Sequence, residues 1–223
     1  MRKAFTLIEV IVVVTIIAVL AAIIFPVFAR AKASAKQASC ISNLRQIAVA
    51  LSSYMVDSDG VFPHAVDPID KTRPEIWDRY PEFRARIPYM PDLDEVLQPY
   101  VKNREVFHCP ADIGTEVMDD QPDIVFQTTP SMHKVFNTSY FFRTEIAFRA
   151  YTDSRFQLPA ETNVLMDAAG HWHGGAPRVE QNEFGQRYFD KLRRFRYNTL
   201  FGDLHVKNLS NDQLQQAWSV DLE

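Results

Sequence analysis

The residues best suited to chemistry lie in one run, Met166-Asp167-Ala168-Ala169-Gly170-His171-Trp172-His173-Gly174-Gly175. Asp167, His171, His173 and the distant His205 offer the carboxylate and imidazole donors that zinc takes. On a strand, the spacing of His171 and His173 would turn both rings to one face. No general base or supporting pattern accompanies them in the sequence. The expected arrangement is therefore a Gly-rich loop after a strand, with Trp172 packed and the histidines solvated; no metal, cofactor or catalytic residue is assigned. Asp57-Ser58-Asp59-Gly60 has the acidic start of a calcium loop but lacks the later Glu at the right spacing, so it reads as a helix stop. There is no phosphate loop, nucleophile elbow or dinucleotide fingerprint.

Glu9 poses a different chemical problem. It lies between Ile8 and Val10, and from Val10 to Ala29 the only polar side chain is Thr15. A lone carboxylate at the centre of a bilayer costs about 2.5–3.5 kcal/mol, and less near an interface. It could snorkel or take up a proton there, or it could find a cation. Cleavage before Phe5 would supply one, because the new α-amino group would be a charge at membrane depth. The Glu9 carboxylate of one copy could then neutralise the Phe5 amine of a neighbouring copy.

Arg2-Lys3-Ala4-Phe5-Thr6-Leu7-Ile8-Glu9-Val10 resembles the leader and cleavage motif of type IV prepilins: a short basic leader, then Phe-Thr-Leu-x-Glu, then a long apolar run. The resemblance implies cutting between Ala4 and Phe5 by a prepilin peptidase and methylation of the new Phe5 terminus. It also implies a need for Glu9 in assembly with other copies or related subunits. Ala4 stands where the family usually has Gly. Pro26 fits the same group, in which the second half of the apolar segment often carries a proline. Removing an N–H and crowding the preceding turn should kink or locally melt the helix there.

These residues must be positioned by the elements around them. The apolar run is about twenty residues long, enough for one helical crossing of a membrane. A secretory signal would have a shorter apolar core and a small-residue cleavage site after it, whereas an uncleaved signal anchor satisfies hydropathy alone. Arg2 and Lys3 predict a cytoplasmic N-terminus with the body outside the inner membrane. Helix is expected to continue, since residues 29–55 contain neither Gly nor Pro. Ile41, Leu44, Ile47, Ala48, Leu51, Tyr54 and Met55 form one apolar stripe, and the stop falls at 57–60 with Pro63 after it. A helix from Phe5 to Val56 would be ~78 Å long at about 1.5 Å per residue. The expected organisation is a leader at 1–4, a membrane and filament-core helix at 5–29, an amphipathic continuation at 30–56, and a periplasmic or extracellular head at 57–223.

Residues 61–134 are rich in Pro and charge and read as irregular, with a short helix from Asp92 to Val101. Strands are expected at Ser139–Tyr151, Asn163–Asp167, Gln186–Phe189, Phe195–Phe201 and His205–Leu209. Gly202-Asp203 is placed in a two-residue turn with Gly at positive φ. The fold class is α+β, a long N-terminal helix packed by its second half on an antiparallel sheet.

A second resemblance spans this region. Ser39 through Ala48, Tyr54, Asp57 through Pro63, Tyr100 through Asn103, Val106 through Pro110 and Leu200 through Val206 are similar to a large bacterial group of pilin-like proteins. That group is described by a His, nine residues, then Asp-Gly. Here the Asp is Asp203, Arg193 stands where the His would fall, and Leu204 replaces the Gly. A Leu at positive φ would cost ~1–2 kcal/mol, so a locally different turn is expected.

Cys40 and Cys109 are the only cysteines. An oxidising compartment and an even count suit one bridge between them; the alternative is two buried thiols. The formal charge of -4, with 24 basic and 28 acidic residues, leaves no basic footprint, so nucleic acid is not an expected partner. Three functions remain: a structural subunit of a type IV pilus or type II secretion pseudopilus; a signal-anchored periplasmic protein binding a metal or small ligand at the His171–His173 loop; and, ranked last, an anchored hydrolase.

Overall fold

The computed structural model describes residues 6–125, 127–149 and 151–222, without the side chain of Asp153. The leader and the Ala4–Phe5 junction therefore lie outside the described residues. The chain forms two compact units, one ending at Lys36 and one beginning at Gln37.

Helix α1 runs from Leu7 to Asp57. In the first unit its apolar side chains are exposed, Leu7, Ile16, Phe25 and Phe28 among them. Among the described helices it alone is long and apolar enough to cross a membrane. Thr15, the one polar side chain between Val10 and Ala29, returns its hydroxyl to the Ile11 carbonyl at 2.8 Å. Helical backbone continues through Pro26 without a break, so the melted stretch expected there is not present. The ring still removes one backbone donor, because proline has no N–H.

In the second unit the rest of α1 is amphipathic. Cys40, Leu44, Ile47, Ala48, Leu51 and Met55 are buried at helical spacing, while Val49 and Val56 face outward. The helix stops where Gly60 N–H closes back on the Met55 carbonyl at 2.7 Å, with Asp59 at φ 53°. A left-handed residue followed by such a 6→1 bond satisfies carbonyls left open at a helix end.

Short helices follow: α2 (Pro68–Thr72), α3 (Pro81–Arg84), α4 (Leu93–Leu97) and α5 (Met132–Phe136). Helix α4 is shorter than the predicted 92–101 segment because Pro99 turns the chain into a separate 3-10 turn, Gln98–Tyr100. Next come β1 (Tyr140–Phe142), α6 (Glu145–Phe148), β2 (Asn163–Asp167), α7 (His171–Gly174), α8 (Gln186–Leu192), β3 (Arg196–Phe201), β4 (Val206–Ser210) and α9 (Asn211–Trp218). The four strands form one antiparallel sheet in the order β1-β2-β3-β4. Tyr140 is opposite Asp167, Met166 opposite Thr199, and Tyr197 opposite Leu209. All five residues of β2 are buried. The fold is α+β, with the long N-terminal helix packed against this sheet; Tyr140 of β1 reaches the Cys40 carbonyl of α1 at 3.5 Å.

Three expected strand features are corrected. Gln186–Phe189 is the start of α8, whose Tyr188, Lys191 and Leu192 are buried at spacings of three and four; the aromatic residues belong to a helical face. The expected strand 139–151 pairs only at Tyr140–Phe142, and then the chain turns into α6, with Ile146 N–H on the Arg143 carbonyl. The β3–β4 turn is a three-residue loop. Phe201 N–H bonds the His205 carbonyl, Leu204 N–H bonds the Phe201 carbonyl, and Leu204 itself takes φ 68°. Gly202 is not at positive φ. A left-handed third residue is the usual ending of such a loop, so the turn keeps its geometry and Leu204 bears the strain. Its partial packing against the core offsets some of that cost.

Candidate functional site

At the N-terminus, Glu9 is the third residue of α1 and Thr6 immediately precedes the helix. Glu9 Oε2 accepts the Thr6 N–H at 2.8 Å and the Thr6 hydroxyl at 2.7 Å. The Glu9 N–H approaches Thr6 Oγ1 at 3.4 Å. This is a capping box, in which the cap side chain and the third helical residue each satisfy an open backbone donor. The pattern Thr-x-x-Glu was readable at positions 6–9, although its capping role is easily hidden by the charge of Glu9. Phe5, the expected cation donor, lies outside the described residues.

The Cys40–Cys109 pair is a disulfide linking α1 to the segment before α5. His173 Nε2 lies 3.5 Å from Cys109 Sγ and 3.3 Å from Asp167 Oδ2. Asp167 Oδ2 also accepts the Asn198 N–H at 2.6 Å. Cys40, Cys109 and His173 are the one group of three potential metal ligands that converges among the described residues, and its two sulfurs are bonded to each other.

Of the four residues considered for zinc, His173 and Asp167 come together, but His171 and His205 do not join them. Residues 171–174 form the helical turn α7, not a strand. Positions i and i+2 on a helix point roughly 200° apart, so the two rings diverge. His171 packs near Phe195 and Trp172, with ring centroids at 6.0 and 6.2 Å. It is buried rather than solvated, and burial pushes its pKa down to about 4. The His173 side chain is buried as well. Trp172 is packed as expected and donates its indole N–H to the Gly114 carbonyl at 3.2 Å. His205 sits on the β3–β4 loop, paired with Asp203 and stacked on Phe201 at 4.4 Å.

A site with no sequence signal lies on the other side of the sheet's end. A cavity of about 680 Å³ is lined by Trp77, Tyr80, Phe141, Met166, Tyr197 and Trp218, with Asp119, Asp120, Glu145 and Arg79 among its polar groups. Asp119 is 5% exposed. Its Oδ2 accepts the Gly170 N–H at 2.7 Å and the Tyr197 hydroxyl at 2.9 Å. Gly170 is required at this approach: a Cβ there would lie 2.5 Å from the Tyr197 ring. Among the described residues Asp119 Oδ1 has no hydrogen-bond partner. Burial pushes the Asp119 carboxyl up to about 7, against the two hydrogen bonds that pull it down. These partners are 51 and 78 residues away in sequence, which is why no local pattern announced the site.

Residues 1–25 match the family described as the prokaryotic N-terminal methylation motif. No curated protein matches the chain, and no solved structure does.

Proposed function

We propose that this chain is a filament subunit, processed before Phe5 and assembled through its N-terminal helix. The premise is that its methylation motif and its helix-on-sheet fold are those of the pilin and pseudopilin group, a structural, non-catalytic class. The motif implies a prepilin peptidase as processing partner and related pilin subunits as assembly partners. One exposed apolar helix followed by a folded head is consistent with a single-pass membrane topology.

The observation that carries the reading is the match at residues 1–25, together with the exposed apolar side chains that α1 carries from Leu7 to Phe28. Isolated in water, that surface would be strongly unfavourable at roughly 25 cal/mol per Å². Lipid before assembly and sister helices after it would cover the surface. Arg2 and Lys3 favour a cytoplasmic N-terminus, which puts the head in the periplasm and then on a periplasmic or surface filament. In that filament Glu9 meets the methylated Phe5 amine of a neighbour, two costly charges becoming one pair. The Pro26 position, lacking a backbone donor, is where the helix yields most readily on packing. Either a type IV pilus or a type II secretion pseudopilus would use these parts.

Intact mass and N-terminal sequencing of protein from its native membrane test the proposal. Loss of Met1 to Ala4 with one added methyl on Phe5 is expected; an intact Met1 would leave a plain signal anchor and end the filament reading.

A further inference from the structure

The cavity beside Asp119 belongs to no part of the filament argument. It lies wholly in the unit that begins at Gln37, and its volume of about 680 Å³ is that of a site for a small molecule or a large side chain. Its walls combine two features. Trp77, Tyr80, Tyr197 and Trp218 present aromatic surface, and Asp119, Asp120 and Glu145 present carboxylates. Among the described residues Arg79 is the one basic residue lining it. Arg143 lies 3.8 Å from Glu145 with its guanidinium over the Trp218 ring at 5.3 Å, and it is engaged with the Asn163 side chain and with the carbonyls of Ala217, Trp218 and Val220. Even with Arg143 counted, three carboxylates face two guanidinium groups.

Asp119 is the independent sign that something is received here. A buried carboxylate normally has both oxygens satisfied, because leaving one open forfeits its hydration without replacing it. The Gly170 and Tyr197 bonds hold Oδ2 and fix the plane of the group, while Oδ1 has no partner among the described residues, in a side chain 5% exposed that lines the cavity. A cation at Oδ1 would complete the group, and Trp77, Tyr80 and Tyr197 would add the attraction of their π faces. We propose that this cavity binds a small organic cation, an ammonium or guanidinium group on an apolar body, with Asp119 as its counter-ion. The same chemistry comes from a free amine or from a Lys or Arg side chain of another polypeptide.

The test is calorimetric titration of the full-length chain in uncharged detergent, corrected against micelles alone. The probes are phenethylamine, its uncharged analogue 2-phenylethanol, and the blocked peptides acetyl-Gly-Arg-Gly-amide and acetyl-Gly-Lys-Gly-amide. Saturable binding of phenethylamine, at least tenfold tighter than the alcohol, supports a free amine. Tighter binding of either peptide supports a polypeptide side chain. Asp119→Asn retains acceptors for Gly170 and Tyr197 and should weaken the bound cation at least tenfold. If that variant does not fold, Glu145→Gln, at a part-exposed position, should weaken it at least threefold. The proposal is overturned if no cationic probe binds, if amine and alcohol bind alike, or if folded Asp119→Asn binds the amine as tightly as the parent chain.

Discussion

Thr6 gives both its backbone N–H and its hydroxyl to the same oxygen of Glu9, at 2.8 and 2.7 Å. The carboxylate that the filament reading pairs with a neighbouring amine therefore also caps its own helix. The two roles separate by substitution. Glu9→Gln keeps a capping-box acceptor at the third helical position but removes the charge. Thr6→Ala removes the cap, at about 1 kcal/mol of helix stability, and keeps the charge. Counting filaments by electron microscopy should find Thr6→Ala assembling and Glu9→Gln failing. The reverse result would reduce Glu9 to a capping residue.

The Cys40–Cys109 bridge spans 69 residues and ties the folded end of α1 to the segment that precedes α5. By loop-closure entropy it stabilises the head by roughly 4 kcal/mol. Cys40→Ser with Cys109→Ser should lower the urea midpoint of head unfolding by a corresponding amount. The native chain under reducing conditions should approach the same midpoint.

Asp70 is buried and receives hydrogen bonds from the Trp77 indole at 2.6 Å and from the Thr144 hydroxyl. Burial outweighs those bonds and raises its carboxyl from 3.8 to about 6. A carboxyl raised on folding contributes stability that is fully present below its unfolded value. That stability is lost as pH rises through the folded value. Relative to Asp70→Asn, the parent chain should therefore lose roughly 2 kcal/mol between pH 4 and pH 7. His171, lowered to about 4, works in the opposite direction, losing its contribution as pH falls from its ordinary value. Thermal unfolding of the parent and the Asp70→Asn variant across pH reads Asp70 together with its buried neighbour Asp67, whose upward shift Asp70 adds to; parallel curves would exclude the Asp70 contribution.

Leu204 holds φ 68° at the end of the β3–β4 loop and packs partly against the core. Leu204→Ala loses the packing and keeps the strain, while Leu204→Gly loses the same packing and removes the strain. Glycine should be the more stable of the two by about 1 kcal/mol in urea unfolding. Equal stabilities would mean that the left-handed position carries no cost.

Much of the molecule is legible locally. Val10 to Ala29, with Thr15 alone polar, specifies a membrane-length helix, because hydropathy over about twenty residues is itself the physical determinant. The stripe Leu44, Ile47, Ala48, Leu51 and Met55 identifies the face that the head covers, because a 3.6-residue period aligns these side chains. Asn163–Asp167 reads as a strand from its own composition. Aromatic content misleads at Tyr188 and Phe189, where a helical burial period governs instead.

The sequence alone thus determines the membrane-length apolar helix, the motif around Glu9 and the amphipathic end of α1, since each rests on neighbours within one or two turns. Tertiary structure alone decides that His171 and His173 diverge, that His173 meets Asp167 and Cys109, and that Asp119 is held by Gly170 and Tyr197 at the wall of a cavity. Those contacts join residues tens of positions apart, and their geometry follows from sheet register and from how loops close over it. No local periodicity encodes that information.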